Sequence, residues 1–330
     1  RKGATTRILV AGGAGFIGSN IVDAFVDAGH HVAVVDNLAT GKREHLNPAA
    51  AFYEVDIRDA AALRDVFDAE RPDLVDHHAA QVEVRKSLAD PHLDATINVL
   101  GTLNLLEAAR AVGTRRIIFI SSGGAVYGEP VDLPCTEEHP IRPLSPYGAS
   151  KGAVELYLSV YAQTHGMAAI ILRYANVYGP RQDPLGEAGV VAIFTGRMLR
   201  AEAAGELAAE IPDAAPVIFG DGEQERDFVF VGDCAAANLA AAAALPHDVD
   251  AQPGPPAAYN IGTGIGTSVN ELAARLQEII GYTGPVVHVD EKLGEVKRIY
   301  SAIDKAKADL DWQPEVSLRE GLQRTVRYFQ

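Results

Sequence analysis

Sulfur is scarce in this chain of 330 residues, which has two cysteines and two methionines. Cys135 and Cys234 lie far apart and lack metal-ligand spacing, so a disulfide framework is excluded and two reduced thiols in a cytoplasmic protein are expected. There is no run of about 18 apolar residues, the length a transmembrane helix needs, and no membrane partner is expected. The opening Arg1-Lys2-Gly3-Ala4-Thr5-Thr6 lacks the apolar segment of a signal peptide and reads as a ragged start. Positive charge is in deficit. At a formal −15 the chain is a poor partner for nucleic acid, and any phosphate ester must meet locally placed Arg or Lys. His30, His31, His77, His78, His92 and His165 lack metal spacing, so no metal is expected. No repeat with a period of about 20–50 residues is visible. What remains is 48% hydrophobic residues, enough for a substantial core in one large α/β domain with a smaller lobe.

The richest stretch begins at Ile8-Leu9-Val10-Ala11-Gly12-Gly13-Ala14-Gly15-Phe16-Ile17-Gly18 and closes at Asp36 after His31-Val32-Ala33-Val34-Val35. A short apolar run, glycines at 12, 15 and 18 and then a helical pattern describe a strand passing into a helix through a turn of glycines. Such a turn lets backbone approach a pyrophosphate at the helix N-terminus. Asp36 stands where a carboxylate accepts both hydroxyls of an adenosine ribose, which favours NAD over NADP.

Strand candidates at 7–11, 31–35, 51–55, 73–78, 115–121 and 168–173 alternate with helical patterns at 16–28, 59–69, 93–112 and 147–165. That alternation predicts a Rossmann-type, doubly wound parallel sheet with ligand at the carboxyl ends of its strands. The second half is less regular. Helices are expected at 190–206, 233–244 and 268–280, with apolar-rich segments at 216–219, 226–231 and 285–289. We therefore expect a dinucleotide domain over 1–175, with segments from about 220–260 returning to it, and a substrate lobe mainly over 176–330.

Pro146-Tyr147-Gly148-Ala149-Ser150-Lys151 places a tyrosine one helical turn ahead of a lysine, so both side chains share a face. An ammonium there lowers the phenol pKa and donates to a nicotinamide ribose. A tyrosinate beside a nicotinamide takes the proton of a sugar carbinol as the carbinol is oxidised.

With these motifs the chain resembles the extended short-chain dehydrogenase/reductase superfamily and, within it, the nucleotide-sugar epimerases closest to the UDP-glucose 4-epimerases. The resemblance spans nearly the whole chain. Besides the segments already quoted, it is carried by Asp56-Ile57, His78-Ala79-Ala80-Gln81, Asn98, Ser121-Ser122-Gly123-Gly124-Ala125-Val126-Tyr127-Gly128, Leu172 through Gln182, Gly220-Asp221-Gly222, Arg226-Asp227-Phe228 and Trp312. It implies that Tyr147 is the acid–base and Lys151 its partner and ribose anchor. Asp56 and Ile57 would border the adenine, and Ala79, Ala80 and Gln81 the pyrophosphate side. The resemblance also puts Phe16, Ile17, Asn37, Asn98, Ser121 and Tyr174 around NAD. It assigns Asn176, Arg181, Val191, Phe219, Arg226 and Lys292 to a UDP-sugar. It implies further a homodimer through the helices at 93–112 and 147–165.

Two positions depart from the resemblance. Gly123 stands where relatives carry a Ser or Thr that shares the O4 proton, leaving Ser122, a water or Tyr147 alone to act. Lys292 replaces an arginine on the diphosphate and loses its bidentate fork. The stretch Gly123-Gly124-Ala125 lacks the Asp-Glu pair of a 4,6-dehydratase and the Glu of a UDP-glucuronate decarboxylase. The remaining outcome is 4-epimerisation through a transient 4-keto sugar, with UDP-glucose/UDP-galactose as first choice. UDP-glucuronate, with Arg181 or Arg85 as its cation, and UDP-N-acetylhexosamines are the alternatives. A catalytically silent NAD-binding sensor or scaffold is the reading from another class.

Overall fold

The computed structural model describes residues 5–184, 189–205, 215–246, 253–291 and 296–330. Seven strands form one parallel sheet. In spatial order they are Ala257–Ile261, Ala168–Tyr174, Arg116–Ser122, Leu74–His77, Arg7–Ala11, His31–Asp36 and Ala51–Glu54. Chain direction reverses outward from Arg7–Ala11, so the crevice between that strand and Leu74–His77 is the switch point where a doubly wound sheet takes its ligand. The inner strands are apolar on both faces because helices cover both. Ile8 and Val10 enter the core under helices Phe16–Asp27 and Val231–Ala244, whereas Leu9 and Ala11 enter the one under Ala60–Glu70, Thr102–Ala111 and Pro146–His165.

Local chemistry sets the helix ends. Asp59 accepts from the amides of Ala61 and Ala62 at 3.1 and 3.0 Å to start Ala60–Glu70. Ser145 caps Pro146–His165 by accepting from Gly148, and Gly166 ends that helix at φ 65°. The expected helix over 93–112 is interrupted. Pro91–Ala95 passes into a wider π turn over Thr96–Gly101 before Thr102–Ala111 resumes, and the turn carries the inward-facing Asn98.

Beyond residue 175 the chain both returns to the sheet and builds a second core. Val231–Ala244 packs on Phe16–Asp27, and Ala257–Ile261 pairs with Ala168–Tyr174 at the sheet edge. Helices Val190–Ala204, Val269–Ile280 and Leu318–Phe329 enclose the lobe core around Phe194, Met198, Leu272 and Leu322. Short strands flank it: Phe228–Phe230 pairs with Asn176–Tyr178, and Glu225–Arg226 lies between Thr267–Ser268 and Arg298–Ile299. Trp312 donates from its indole to the Asp233 carbonyl at 2.9 Å and ties the C-terminal segment down. Among the described residues no helix is long and apolar enough to cross a membrane, and no cluster of His, Cys, Asp and Glu is arranged to hold a metal.

Candidate active site

The glycine turn is shaped partly by the protein and partly by something else. At Gly12, φ is 85° and a Cβ would lie 2.5 Å from the Ala79 nitrogen; at Gly18 it would lie 2.2 Å from the Gly12 carbonyl oxygen. Folding alone demands both glycines. Gly15 differs, because its φ is an ordinary −75° and its Cβ would touch only the Gly12 oxygen, at 3.4 Å. It leaves a cradle at the start of Phe16–Asp27, whose first amides have no side-chain cap. Phe16 and Ile17 line that end, half-buried. Asp36 ends its strand 8% exposed, with Oδ2 accepting from Ala14 and Oδ1 from Leu38 at 3.0 and 2.8 Å. Burial pushes its pKa up and the two amides pull it back. Next to it, Asn37 donates to Asp56 at 2.7 Å, and the Arg58 guanidinium holds the Asp56 carboxyl well below the usual range. Buried Ile57 lies alongside. A cradle beside uncapped amides, with a carboxylate at the next strand end, fits an adenine dinucleotide.

Tyr147 and Lys151 project from the first turns of Pro146–His165 toward the end of Arg116–Ser122. Although its ring keeps some surface, Tyr147 holds its phenol deep enough that burial pushes the pKa up to about 12. The nearby Ser122 hydroxyl pulls the other way. Lys151 donates to the Ile120 carbonyl at 2.8 Å, and burial lowers its pKa to about 8. The expected lowering of the phenol pKa by the ammonium is therefore not what this geometry produces. The Lys151 nitrogen is drawn to the strand carbonyl, 5.9 Å from the Tyr147 ring centroid, and desolvation dominates. The hydroxyl beside Tyr147 comes from Ser122. A Cβ on Gly123 would face the Arg173 carbonyl, Ser301 and Tyr127, each at 3.6 Å. The strand turns into the short helix Gly123–Val126 directly after Ser122, which frees that side chain from the strand alternation.

Several residues assigned to the cofactor also hold protein. Asn98 accepts from the Gln81 amide at 2.8 Å and donates to the Gln81 carbonyl at 2.9 Å and to Asp94 at 3.0 Å, so it braces the Ala79–Gln81 loop from behind. Gln81 donates to Asp94 and to the Glu83 carbonyl, both at 3.0 Å, leaving Ala79 and Ala80 as the half-buried faces of that loop. Ser121 donates to Glu155 at 2.6 Å. The Tyr174 hydroxyl accepts from Asn238 beneath the sheet. Both side chains are 4% exposed or less.

On the lobe side, exposed Asn176 donates its amide to the Asp227 carbonyl at 2.8 Å, and Phe219 ends its strand 36% exposed. Arg226 is half-buried, with Nη1 donating to the Glu225 carbonyl at 2.9 Å. Asp227 does not serve it. It accepts from the Thr263 amide and hydroxyl and from the amides of Gly264 and Ser301. Val191 is 1% exposed in the lobe core, so its side chain is committed to packing. Arg181 donates to Asp23 of the first helix at 2.7 Å, which ties the loop after Tyr178 to the dinucleotide domain. Lys292 lies outside the described residues.

The sequence reading overlooked the support beneath the site. Glu155 accepts from Ser121 and pairs with buried Arg173, which donates to the Tyr127 hydroxyl at 3.0 Å; Tyr127 in turn donates to Asn260 at 2.6 Å. Glu155 stands one turn beyond Lys151 on the same helix face, a spacing that would have revealed it. Asp94, 0% exposed, stands one turn before Asn98 in the same way.

The sequence profile of the NAD dependent epimerase/dehydratase family matches residues 8–262. The UDP-glucose 4-epimerase of Mycolicibacterium smegmatis is 40% identical over 332 residues, with 98% of each chain covered. The crystal structure of UDP-glucose 4-epimerase from Thermotoga maritima with UDP-glucose superposes with a TM-score of 0.89 at 47% identity, over 98% of both chains. That of the Thermus thermophilus UDP-glucose 4-epimerase in complex with NAD does so with a TM-score of 0.86 at 43% identity, again over 98% of both chains. With the glycine turn and the Tyr147–Lys151 helix inside the matched segment, the chain belongs to the NAD dependent epimerase/dehydratase family.

Proposed function

We propose that the chain is an NAD-dependent UDP-sugar 4-epimerase acting on UDP-glucose and UDP-galactose. The observation that carries this reading is the Tyr147–Lys151 pair on one face of Pro146–His165, with the Lys151 nitrogen on the Ile120 carbonyl and 5.9 Å from the Tyr147 ring, at a strand end where Gly123-Gly124-Ala125 supply no carboxylate. The full-length similarity to UDP-glucose 4-epimerases supports the choice of sugar.

NAD supplies a reversible hydride acceptor for the sugar carbinol, and Gly12, Gly15, Gly18, Asp36, Asp56, Ala79, Ala80 and Lys151 would hold it. Tyr147 takes the proton from the 4-hydroxyl, with Ser122 sharing it, as the carbinol carbon is oxidised. The 4-keto sugar turns over, and Tyr147 returns the proton when the carbon is reduced on its opposite face. No outside redox partner enters the balance. Lys151 remains mostly cationic at neutral pH with a pKa of about 8 and would serve the nicotinamide ribose as a charged donor. The nearby Glu155 carboxylate is engaged by Ser121 and Arg173. Asn176, Phe219 and Arg226 would hold the uridine diphosphate.

The buried free thiols of Cys135 and Cys234 suit a reducing cytoplasm. Leu100, Leu156, Tyr157 and Val160 leave an apolar face, 40–69% exposed, across the π turn and the Tyr147 helix. We assign that face to a homodimer contact.

The test is to incubate purified protein, without added NAD, separately with UDP-galactose and UDP-glucuronate and to follow the anomeric protons by NMR. UDP-glucose should appear in the first tube. Conversion of the uronate alone would keep the mechanism but move the substrate, and no change in either tube after adding NAD would sink the reading.

A further inference from the structure

We propose that Asp94 is a positioning residue that keeps Lys151 cationic and locks the catalytic helix against the Ala79–Gln81 loop. This inference rests on the proposed role of Lys151 but is tested apart from it.

The Asp94 carboxylate is 0% exposed. Its Oδ1 accepts from Gln81 and Asn98, at 3.0 Å each, and its Oδ2 accepts from Ser150 at 2.6 Å. Gln81 belongs to the loop facing the dinucleotide, Asn98 to the π turn, and Ser150 is the neighbour of Lys151. One side chain thus joins the three segments that surround the catalytic pair. All three donors are neutral. The network alone needs an acceptor rather than a charge, since a neutral amide oxygen would serve Gln81 and Asn98 as well. The charge sits one hydrogen bond from Ser150, the neighbour of Lys151, and from there favours the protonated form of Lys151 against burial. The same charge opposes phenolate at Tyr147. It therefore trades some acidity of the phenol for a lysine that stays charged at working pH.

Other groups around Lys151 do not duplicate this effect. Glu155, on the same helix, also favours the ammonium, but its carboxylate is held by buried Arg173. His77, on the neighbouring strand, is pushed down to about 3 by burial and stays neutral. The Ile120 carbonyl and the Phe119 ring, 4.9 Å from the ammonium, are uncharged. Arg85 and Lys86 on Val84–Ala89 and His92 beside Asp94 are exposed to solvent. Arg116 is directed to the carbonyls of Ala242 and Leu245, and Tyr174 toward Asn238.

The decisive variant is Asp94→Asn. Its amide oxygen still accepts from Gln81 and Asn98 and its nitrogen can donate to Ser150, so the network persists without the charge. In protein carrying carbon-13-labelled lysine, the Cε resonance that disappears in Lys151→Met reports the lysine titration without any turnover. We expect its midpoint to fall by about one unit or more in Asp94→Asn, and to stay near the parent value in Asp94→Glu. The alkaline limb of kcat against pH should move down with it, kcat at pH 8 dropping about tenfold with KM for the UDP-sugar unchanged. If Asp94→Asn does not fold, Asp94→Ser, neutral and smaller, gives the same readout. A midpoint that stays put in the neutral variants overturns the proposal. Absence of activity in every chain, the parent included, would count against the epimerase reading, and the titration would still decide the role of Asp94.

Discussion

At the scale of single residues, the site sets chemistry against burial. Tyr147 is held by Ser122 yet pushed up to about 12, and Lys151 is held down to about 8. Tyr147→Phe should leave thermal stability nearly unchanged and lower kcat by about 100-fold or more, the usual loss on removing a general acid–base. Ser122→Ala should cost about tenfold, whereas Gly123→Ser should restore nothing, because its side chain would face Ser301 and Tyr127. Steady-state rates on UDP-galactose distinguish the three. Lys151 also predicts a pH dependence of stability. Its folded pKa is depressed from 10.5, so between about pH 8 and that value the unfolded chain binds the extra proton and stability rises with pH. The full effect is at most about 3 kcal/mol. It is cleanest just above pH 8, since the Cys135 thiol, raised from 9.0 to about 11, acts in the opposite sense above pH 9. Denaturant titrations of the parent and Lys151→Met should show the slope in the first and not the second.

At the scale of elements, the glycine turn separates folding from binding. Gly18→Ala forces a Cβ into the Gly12 carbonyl oxygen and should destabilise the chain by about 1–3 kcal/mol. Gly15→Ala meets nothing of the protein closer than 3.4 Å. Its melting temperature without cofactor should match the parent, while the NAD that co-purifies, read by absorbance, should fall sharply. Elements were legible wherever the pattern was local. The strands at 7–11, 31–36 and 168–174 are built on the apolar runs 8–11, 32–35 and 168–172, and the start of Pro146–His165 is marked by Ser145 and Pro146. Ala257–Ile261 reads as Ala-Ala-Tyr-Asn-Ile and has no strand pattern of its own; it becomes one because Ala168–Tyr174 offers an open edge. Helix Leu318–Phe329 is mostly polar and only its narrow stripe of Leu322, Thr325 and Val326 is buried, which is too little signal without the lobe it covers.

For the whole molecule, Arg181 pairs with Asp23 and ties the loop after Tyr178 to the helix Phe16–Asp27. The exposed apolar face at Leu100, Leu156 and Val160 predicts self-association. Leu156→Glu should halve the mass seen by light scattering without lowering the helix content.

By itself the sequence determined the dinucleotide turn, the order of the first six strands and the Tyr147–Lys151 pair, because each is written in residues close along the chain whose spacing matches one helical turn or one strand face. Tertiary structure alone decided that Asn98 braces the Ala79–Gln81 loop, that Ser121 meets Glu155, that Arg181 pairs with Asp23 and that Val191 packs in the second core. Those outcomes depend on contacts between distant segments, such as Ser121 with Glu155 and Arg181 with Asp23. A side chain's partner in such a contact is set by where the sheet and its helices place both ends, and no local pattern carries that information.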